Sequence, residues 1–301
     1  MKKVLITGAA GFIGCHLAEH FRREGYIVIG IDISTPAKAR DYIFYNIDVQ
    51  TSQVGDIIKK HRPDACIHCA GPASVADSLA FPENDFKLTV LPTHNLLNAI
   101  KNGYPECKFV YLSSAAVYGD PSHLPVSETH PAVPISPYGF HKMQAENICR
   151  EFFSLYNLPV SVARIFSAYG CGLKKQILWD LCLKAKRGGA VELFGTGEET
   201  RDFINAVDLG QAVRLIIEES PFTLDFYNVA NGQQIKIRDL ARMLLEEFPG
   251  VSGLSFNGQC RPGDPLYWVA DISRLETLGY KQCIDLKEGV YSYVKWFRQL
   301  G

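Results

Sequence analysis

The chain has 301 residues and is 47% hydrophobic, which is enough to fill one large or two modest cores without disulfide or metal support. Its 31 basic and 32 acidic residues give a formal net charge of −1, which excludes an overall attraction to nucleic acid or to an anionic membrane surface. The apolar runs are strand-sized, and the chain opens with a strand and a glycine turn, "MKKVLITGAAG", instead of a signal peptide. We therefore expect a cytoplasmic protein that does not enter the membrane.

Strand-like runs alternate with helical patterns in the first half of the chain. The strands are predicted at "KVLIT", "IVIGID", 43–48, "ACIHCA", "KFVYLSS" and "VSVARIF", and the helices near 12–24, 52–60, 84–102 and 138–156. This alternation predicts an α/β fold with a doubly wound parallel sheet, the Rossmann arrangement, with helices on both faces. Ligands of such a sheet bind at the carboxyl ends of its strands.

The pattern changes after about residue 166. Helices are predicted near 175–187, 207–219, 236–248 and 286–299, separated by short strands and polar, glycine-rich segments. We interpret this part as a smaller C-terminal α/β domain that binds the substrate. The predicted domains are 1–166 with about 202–229 for the dinucleotide, and about 167–201 with 230–301 for the substrate. No segment resembles a flexible linker, so the two should pack closely.

The cysteines and histidines do not predict a metal site. Nine cysteines are scattered along the chain, an odd number that is typical of reduced thiols. Cys66 and Cys69 lie three apart in a predicted strand, where such positions face opposite sides of the sheet. His16 and His20 share a helix face, but no third ligand is apparent, so we interpret them as a surface pair.

A glycine-rich segment follows the first predicted strand directly. Gly8, Gly11 and Gly14 form G-x-x-G-x-x-G between that strand and the first helix. Glycines permit a tight turn and close approach of a ligand, while the free amides of the first helical turn, at Phe12 and Ile13, suit a pyrophosphate. The segment therefore predicts a dinucleotide site.

Acidic residues at the ends of the next two strands are candidates for the adenosine end of that dinucleotide. Asp32 ends "IVIGID", where a carboxylate binds the ribose hydroxyls and repels a 2′-phosphate, so we expect NAD as cofactor. Lys38 and Arg40 follow closely and keep NADP as an alternative. Asp48 and Val49 are placed to touch the adenine, although Asp48 is equally well explained as a helix cap.

Tyr138 and Lys142 lie one helical turn apart in "SPYGFHKMQAE". An ammonium near the phenol lowers the phenol pKa from about 10 towards neutrality, which makes Tyr138 a candidate acid/base. Ser113 and Ser114 end the strand "KFVYLSS", at the edge where the cofactor is expected, and Ser114 is placed to bind the substrate oxygen. Because His141 projects about 100° from Tyr138 on the helical wheel, we interpret it as a surface or packing residue.

Three motifs in this order, "TGAAGFIG", "SSAAVYG" and "YGFHK", resemble the extended branch of the short-chain dehydrogenase/reductase superfamily, in particular its nucleotide-sugar epimerases and dehydratases. The similarity extends through "RIFSAYG", "LFGTGEETRDFI" and "RPGDPLYWVADISRLETLGY" to essentially the whole chain. The resemblance implies that Tyr138, Lys142 and Ser114 are catalytic. It also implies that Ala70 contacts the cofactor, and that Arg201 and Arg261 hold the diphosphate of a nucleoside-diphosphate sugar.

The chain departs from the family pattern at several positions. Ser167 stands where the family usually has an asparagine that contacts the substrate, and Thr89 where an asparagine often reaches the cofactor. Family dehydratases carry carboxyl groups at the positions of Ala115 and Ala116, and methyl groups cannot transfer protons. The resemblance therefore implies hydride transfer at one carbon, C4 of the hexose, instead of 4,6-dehydration, and leaves the sugar and the nucleotide open.

Two reactions fit this set of residues. A 4-epimerase oxidises the hydroxyl and returns hydride to the opposite face, whereas a 4-ketoreductase acting on a 4-keto-6-deoxysugar nucleotide performs only the second half. We favour the epimerase. A scaffold that senses NAD(P) without catalysis is a third alternative, although such proteins often lack the tyrosine or the lysine. In relatives, the helices near 84–102 and 138–156 pair with a second subunit, so the resemblance also implies a homodimer.

Overall fold

The computed structural model describes residues 1–36, 41–259, 263 and 265–301, and its strands build one large sheet and three strand pairs. The strands are β1 (Lys3–Thr7), β2 (Ile27–Asp32), β3 (Ile43–Asn46), β4 (Ala65–His68), β5 (Lys108–Ser114), β6 (Val160–Ile165), β7 (Ser167–Tyr169), β8 (Gly189–Leu193), β9 (Thr200–Arg201), β10 (Phe203–Asn205), β11 (Thr223–Val229), β12 (Ile235–Lys236) and β13 (Val251–Phe256). The large sheet has the order β11-β6-β5-β4-β1-β2-β3, and all its neighbours are parallel.

The helices connect these strands, and several of them cover the large sheet. They are α1 (Phe12–Arg23), α2 (Gln53–His61), α3 (Val75–Ala80), α4 (Pro82–Gly103), α5 (Pro137–Tyr156), α6 (Gln176–Arg187), α7 (Ala206–Glu219), α8 (Ile237–Leu245), α9 (Ser273–Thr277) and α10 (Leu286–Arg298), with a 3₁₀ turn at Ala115–Tyr118. Throughout the described ranges, each helix is too short or too polar to cross a membrane.

The strand order places a ligand-binding crevice beside β1. The chain runs from β1 outwards to β2 and β3, then returns to the other side of β1 to build β4, β5 and β6. Thr7 at the end of β1 pairs with Ile31 of β2 on one side and with His68 of β4 on the other. In doubly wound sheets, the ligand binds where the strand order reverses, at the carboxyl ends of the strands. The predicted fold class is confirmed.

Apolar side chains fill a core on each face of the sheet. Helices α1 and α7 cover one face, where Leu17, Phe21 and Ile216 are fully buried. Helices α2, α4 and α5 cover the other, where Ile58 and Leu96 are fully buried. Burying a large aliphatic or aromatic side chain stabilises the fold by about 1.5–3 kcal/mol, so these two layers hold the helices, and the residues they carry, in fixed positions.

The C-terminal part has its own apolar cluster, centred on α6, α8 and α10. Leu181, Leu240, Leu244, Tyr293 and Val294 are fully buried there. The strand pair β8–β13 contributes to the same cluster. The predicted division of the chain into two domains stays a prediction.

The interpretation of His16 and His20 as a surface pair is wrong. The Nε2 atom of His16 lies 2.8 Å from the carbonyl oxygen of Cys171, and His20 packs so closely on α7 that a Cβ at Gly210 would lie 2.9 Å from its ring. Both histidines are half-buried, because α7 and the segment after β7 cover this face of α1. Sequence spacing alone does not show which later element covers a helix.

Candidate active site

Most of the predicted site residues that the structure describes meet at the carboxyl edge of the large sheet. The glycine loop follows β1, Ala70 follows β4, and Ser114 ends β5. The amide of Ala70 donates to the Thr7 hydroxyl at 3.3 Å, which joins the segment after β4 to the end of β1. The residues predicted for the cofactor and for catalysis thus lie along neighbouring strand ends.

The glycine loop brings the start of α1 against the end of β1. A Cβ at Gly14 would lie 2.0 Å from the carbonyl oxygen of Gly8, so only glycine permits this contact. Gly11 caps α1 without a side-chain hydrogen bond, and the first turn carries no acidic residue. Because the helix begins at Phe12, the amides of Phe12 and Ile13 have no intrahelical acceptor. These donors and the helix dipole suit a bound phosphate.

Asp32 lies at the end of β2, directly beside the glycine loop. Its Oδ2 atom accepts a hydrogen bond from the amide of Ala10 at 2.9 Å, and its Oδ1 atom accepts one from the amide of Ser34 at 2.8 Å. The carboxylate is thereby fixed in the position where the sequence predicts the ribose of the cofactor. Lys38 and Arg40, the predicted alternative partners of an NADP phosphate, lie outside the described residues.

Asp48 and Val49 have local structural roles before α2. Asp48 Oδ1 accepts a hydrogen bond from the amide of Gln50 at 2.9 Å, which stabilises the turn. The Val49 side chain is buried in the core beneath α2. Their predicted contact with an adenine stays a prediction.

Tyr138 and Ser114 meet because α5 begins very close to the 3₁₀ turn that follows β5. Ser136 caps α5 by accepting a hydrogen bond from the amide of Gly139 at 3.2 Å. Ser114 Oγ accepts a hydrogen bond from the amide of Ala116 at 3.2 Å, so its own hydrogen is available to the phenol. The Ser114 side chain interacts with the Tyr138 phenol and lowers its pKa. Both side chains are half-buried and remain partly open to the crevice.

Lys142 lies beneath this pair, one turn further along α5, and is 8% exposed. Its Nζ atom donates to the carbonyl oxygen of Leu112 at 2.9 Å and lies 5.9 Å from the centre of the Tyr138 ring. Burial lowers the pKa of Lys142 to about 8, and the negative charge of Asp85 opposes this shift. Helical spacing thus brings the two predicted groups together, although the ammonium binds a backbone carbonyl.

The predicted lowering of the Tyr138 pKa is wrong for the protein without cofactor. Burial raises the pKa of Tyr138 to about 12, the interaction with Ser114 lowers it, and the charge of Asp85 raises it again. Removing a phenolate from water costs more here than the interaction with Ser114 returns. A bound nicotinamide cation would act in the opposite direction, because a nearby positive charge favours the phenolate.

A buried ion pair supports the strand that carries Ser114. Glu146 and Arg164 form two parallel hydrogen bonds, at 3.0 and 2.8 Å, and both side chains are buried. Glu146 also accepts a hydrogen bond from the Ser113 hydroxyl at 2.6 Å. Arg164 donates to the Tyr118 hydroxyl at 3.0 Å, which ties in the 3₁₀ turn. This network fixes the end of β5 against α5 and β6.

Asp85 is a buried carboxylate against α5 that the sequence analysis missed. It lies in the first turns of α4, is 4% exposed, and its Oδ2 atom is 2.5 Å from Nδ1 of His141. His141, interpreted as a surface or packing residue, lies in the α4–α5 contact as the partner of this carboxylate. Aspartate is common in the first turn of exposed helices, so its position in the sequence does not mark Asp85 as buried. The only signal in the sequence was the lone His141 that contacts it.

The residues predicted for the sugar nucleotide lie further from the sheet. Ser167 begins β7, just beyond the end of β6, and is half-buried. Arg201 in β9 donates to the carbonyl oxygen of Thr200 at 2.8 Å, and its guanidinium lies 5.6 Å from the ring of Trp268. Trp268 packs in the cluster that contains Tyr138. Arg261 lies outside the described residues.

The residues at this edge fit a dinucleotide. The start of α1, which has no side-chain cap, and the contact at Gly14 leave room and donors for a pyrophosphate, and Asp32 lies where the sequence predicts the ribose. The Thr89 hydroxyl is buried without a hydrogen-bond partner in the described part of the chain, close to Gly71 after β4. The described residues contain no group of three or more His, Cys, Asp or Glu side chains placed for a metal ion.

Comparison with known proteins identifies the family of this chain. Residues 4–230 match the model of the NAD dependent epimerase/dehydratase family. The chain is 29% identical over 326 residues to the UDP-glucose 4-epimerase of Azospirillum brasilense, covering 99% of this chain and 92% of that protein.

Two solved structures have the same fold over their full length. One is the UDP-glucuronic acid 4-epimerase of Bacillus cereus in complex with UDP-glucuronic acid and NAD, with a TM-score of 0.89, 28% identity, and 99% and 100% of the two chains covered. The other is the UDP-N-acetylglucosamine 4-epimerase of Methanobrevibacter ruminantium M1 in complex with UDP-N-acetylmuramic acid, with a TM-score of 0.90, 26% identity, and 100% and 99% covered. The predictions of family and of an NAD-dependent enzyme are confirmed.

Proposed function

Since the chain belongs to the NAD dependent epimerase/dehydratase family, we propose that it is a nucleotide-sugar 4-epimerase that acts on a UDP-hexose. The observation that carries this proposal is that Tyr138, Ser114 and the buried Lys142 come together at the sheet edge that also holds the glycine loop, with the Lys142 ammonium 5.9 Å from the centre of the Tyr138 ring. The three relatives named above are 4-epimerases whose names specify UDP-sugars.

Ser114, Tyr138 and Lys142 each have a role in moving one proton. Ser114 binds the C4 oxygen of the sugar, and Tyr138 takes the proton from that oxygen when the carbon is oxidised and returns it when the carbon is reduced. Lys142 stabilises the phenolate form of Tyr138 by its charge. NAD, held by the glycine loop and Asp32, supplies a reversible hydride acceptor when bound.

The 3₁₀ turn after Ser114 favours chemistry at a single carbon. Ala115 and Ala116, the positions where family dehydratases carry carboxyl groups, are 0% and 8% exposed and offer only methyl groups. Tyr138 is then the acid/base of this edge, and one acid/base is sufficient for inversion at C4. Dehydration across two carbons requires a second proton carrier.

The proposal assigns separate tasks to the two parts of the chain. Residues 1–166 with about 202–229 bind the cofactor. Residues about 167–201 and 230–301, including Ser167, Arg201 and Arg261, bind the sugar nucleotide. We also place the protein in the cytoplasm, which is supported by the free thiols of the eight described cysteines.

Purified protein tests this function directly. Incubated with UDP-glucose, UDP-glucuronic acid or UDP-N-acetylglucosamine and no added cofactor, it should produce the 4-epimer of at least one sugar and release NAD when denatured. The variant Tyr138→Phe should lose about 100- to 10,000-fold in rate while keeping its fold and its NAD. A protein that acts only with added NADPH on a 4-keto-6-deoxysugar nucleotide would be a 4-ketoreductase instead, and unchanged behaviour of Tyr138→Phe would favour the scaffold.

We further propose that α4 and α5 form the contact surface of a homodimer. Both helices carry large apolar side chains on the outside, with exposed fractions of 48% for Leu88, 42% for Leu91, 47% for Phe140 and 66% for Leu155. Apolar side chains gathered on one exposed face are typical of a subunit contact. Native mass measurement should give a dimer that Leu91→Glu dissociates, whereas Leu183→Glu, at a 39% exposed position of α6, should leave it intact.

A further inference from the structure

We propose that Ser78 is a positioning residue of the active site: its hydroxyl, on the short helix α3, binds the backbone amide of Tyr138 and so fixes where the phenol lies. The inference deepens the proposed function and rests on it, since it takes Tyr138 as the acid/base. It concerns the contact between α3 and the first turn of α5, which we call the α3–α5 junction.

The first turn of α5 leaves one amide that the helix itself does not satisfy. Pro137 has no N–H. The amide of Gly139 donates to the Ser136 side chain at 3.2 Å, and the amide of Phe140 donates to the Ser136 carbonyl oxygen at 3.0 Å. Amides in the first turn of a helix lack an intrahelical acceptor, so the amide of Tyr138, the second residue of α5, depends on an acceptor from another element.

Ser78 supplies that acceptor. Its Oγ atom accepts a hydrogen bond from the amide of Tyr138 at 3.1 Å. The same hydroxyl donates its own hydrogen to the carbonyl oxygen of Val75 at 2.7 Å, within α3. Because a hydroxyl has one hydrogen and two lone pairs, the donation to Val75 leaves a lone pair for Tyr138. The two bonds hold the oxygen between the two helices in one orientation.

The α3–α5 junction is closed to solvent. Ser78 is 0% exposed. Gly263 covers the junction so closely that a Cβ there would lie 2.9 Å from Cγ1 of Val75 and 3.4 Å from Cβ of Ser136. A polar group buried in this way loses more by losing its partner than an exposed one, because water does not replace the partner. The bond between Ser78 and Tyr138 is therefore a strong constraint on the start of α5.

Helix α3 is also tied to the edge of the sheet where the cofactor is predicted. It begins shortly after Ala70, whose amide donates to the Thr7 hydroxyl at 3.3 Å. The Ser74 side chain caps α3 and fixes its start. The bond between Ser78 and Tyr138 thus relates the position of the phenol to the ends of β1 and β4, and not only to α5.

Ser78 acts through Tyr138 and does not meet the substrate, since its side chain is fully buried. Proton transfer requires the phenol oxygen within hydrogen-bond distance of the sugar oxygen, and a shift of about an ångström is sufficient to lower the rate about 100-fold. Loss of the Ser78 hydroxyl should therefore slow the chemical step. It should leave binding of the sugar nucleotide and of NAD unchanged.

The direct test follows the amide of Tyr138 in the protein without substrate. In protein labelled with ¹⁵N-tyrosine, its resonance is identified by its absence in Tyr138→Phe. In Ser78→Ala this amide should exchange with D₂O at least about tenfold faster than in the wild type, because it has lost its acceptor. The matched control is Ser161→Ala, which removes another fully buried hydroxyl, near the start of β6 at the opposite edge of the sheet, and should leave this exchange unchanged.

Steady-state kinetics are the second readout. In Ser78→Ala, kcat should fall about tenfold, whereas KM for the sugar nucleotide and the amount of NAD per chain should stay at the wild-type values. Ser161→Ala should lose stability and keep its kcat, which separates a general loss of stability from a loss of position. If Ser78→Ala does not fold, Ser78→Cys, which puts a weak acceptor at the same place, should show both effects to a smaller extent.

An unchanged exchange rate of the Tyr138 amide or an unchanged kcat in Ser78→Ala, or in Ser78→Cys where that variant is used instead, would overturn the inference and leave Ser78 a packing residue. An equal loss of kcat in Ser161→Ala would do the same. A wild type that epimerises none of the sugar nucleotides would refute the proposed function instead, and the exchange of the Tyr138 amide would still decide whether Ser78 holds this residue.

Discussion

Gly139 and Ala116 are in such close contact that a Cβ at position 139 would lie 2.5 Å from the carbonyl oxygen of Ala116. The same Cβ would lie 2.8 Å from the Pro134 side chain. The glycine after Tyr138 is therefore what allows α5 to begin against the 3₁₀ turn and the phenol to reach Ser114. The geometry of the proposed catalytic pair, Tyr138 and Ser114, thus depends on a glycine that has no reactive group of its own.

Gly139→Ala should lower kcat by about 100-fold, because a shift of about an ångström between reacting groups is sufficient for such a loss. Overpacking at this contact should also lower the free energy of unfolding by about 1–3 kcal/mol. The control is Gly55→Ala in α2, where an added Cβ meets nothing within 4 Å and should stabilise the protein by about 0.5–1 kcal/mol. Initial rates and denaturant titrations of the two variants provide both comparisons; equal rates in Gly139→Ala and wild type would contradict this account.

Gly14→Ala should weaken binding of the cofactor and leave the contact between Tyr138 and Ser114 unchanged. Its Cβ would lie 2.0 Å from the Gly8 carbonyl oxygen, so the start of α1 must move away from β1 and its free amides with it. We expect less NAD per protein chain after purification, as measured by chromatography of the denatured enzyme. Gly139→Ala and Gly55→Ala should keep their NAD, and a full complement of NAD in Gly14→Ala would refute the predicted role of the loop.

Replacing one partner of the Glu146–Arg164 ion pair should strongly lower the stability of the folded protein. The side chains are 5% and 7% exposed, so Arg164→Met leaves a buried, uncompensated carboxylate and should lower the free energy of unfolding by about 3–5 kcal/mol. Arg23→Met removes a 71% exposed partner of Glu19 and should cost less than about 1 kcal/mol. Denaturant titration of the two variants measures the difference, and similar losses in both would show that burial is not the cause.

Asp202 should make stability depend on pH in the acidic range. It is fully buried and accepts hydrogen bonds from the amides of Asn231 and Ala270, both at 3.0 Å. Burial raises the pKa of Asp202 to about 6 from its usual 3.8. The Asp202 carboxyl therefore binds its proton more tightly in the folded than in the unfolded protein. This stabilises the folded state below pH 3.8, and the stabilisation is lost as the pH rises to about 6.

Asp202→Asn should remove this part of the pH dependence. The difference in unfolding free energy between wild type and variant should change by about 2 kcal/mol between pH 4 and pH 7, with the wild type relatively more stable at the acidic end. Denaturant titrations at a series of pH values measure this difference directly. A constant difference across the range would mean that Asp202 does not titrate there.

The periodic elements were the most predictable part of the fold. The spacing of apolar residues predicts a helix at 138–156, and the structure has α5 at Pro137–Tyr156, because Ser136 and Pro137 determine its start. The short α3 and the strand pairs of the C-terminal part were not predicted individually. Elements of two to six residues carry too few apolar positions for a periodic signal.

The site was predictable where one helix or one loop supplies the geometry. Tyr138 and Lys142 share α5, and Gly8 and Gly14 share a loop, so spacing alone relates the members of each pair. The contact of Asp85 with His141 joins two helices, and no spacing predicts it. The pKa of Tyr138 was predicted in the wrong direction because the cost of burial is a property of the folded protein.

Strand β11 is the last strand of the large sheet to be synthesised, and this order affects how the protein is made. Strand β6, buried along its whole length, is complete at Ile165, but its outer neighbour β11 begins only at Thr223. A nascent chain that has emerged from the ribosome up to residue 222 therefore has a hydrogen-bonding edge with nothing beside it, and such edges pair readily with other polypeptides. Translation must pass the middle of the C-terminal half before the sheet is closed on that side, so truncated products that end earlier should aggregate.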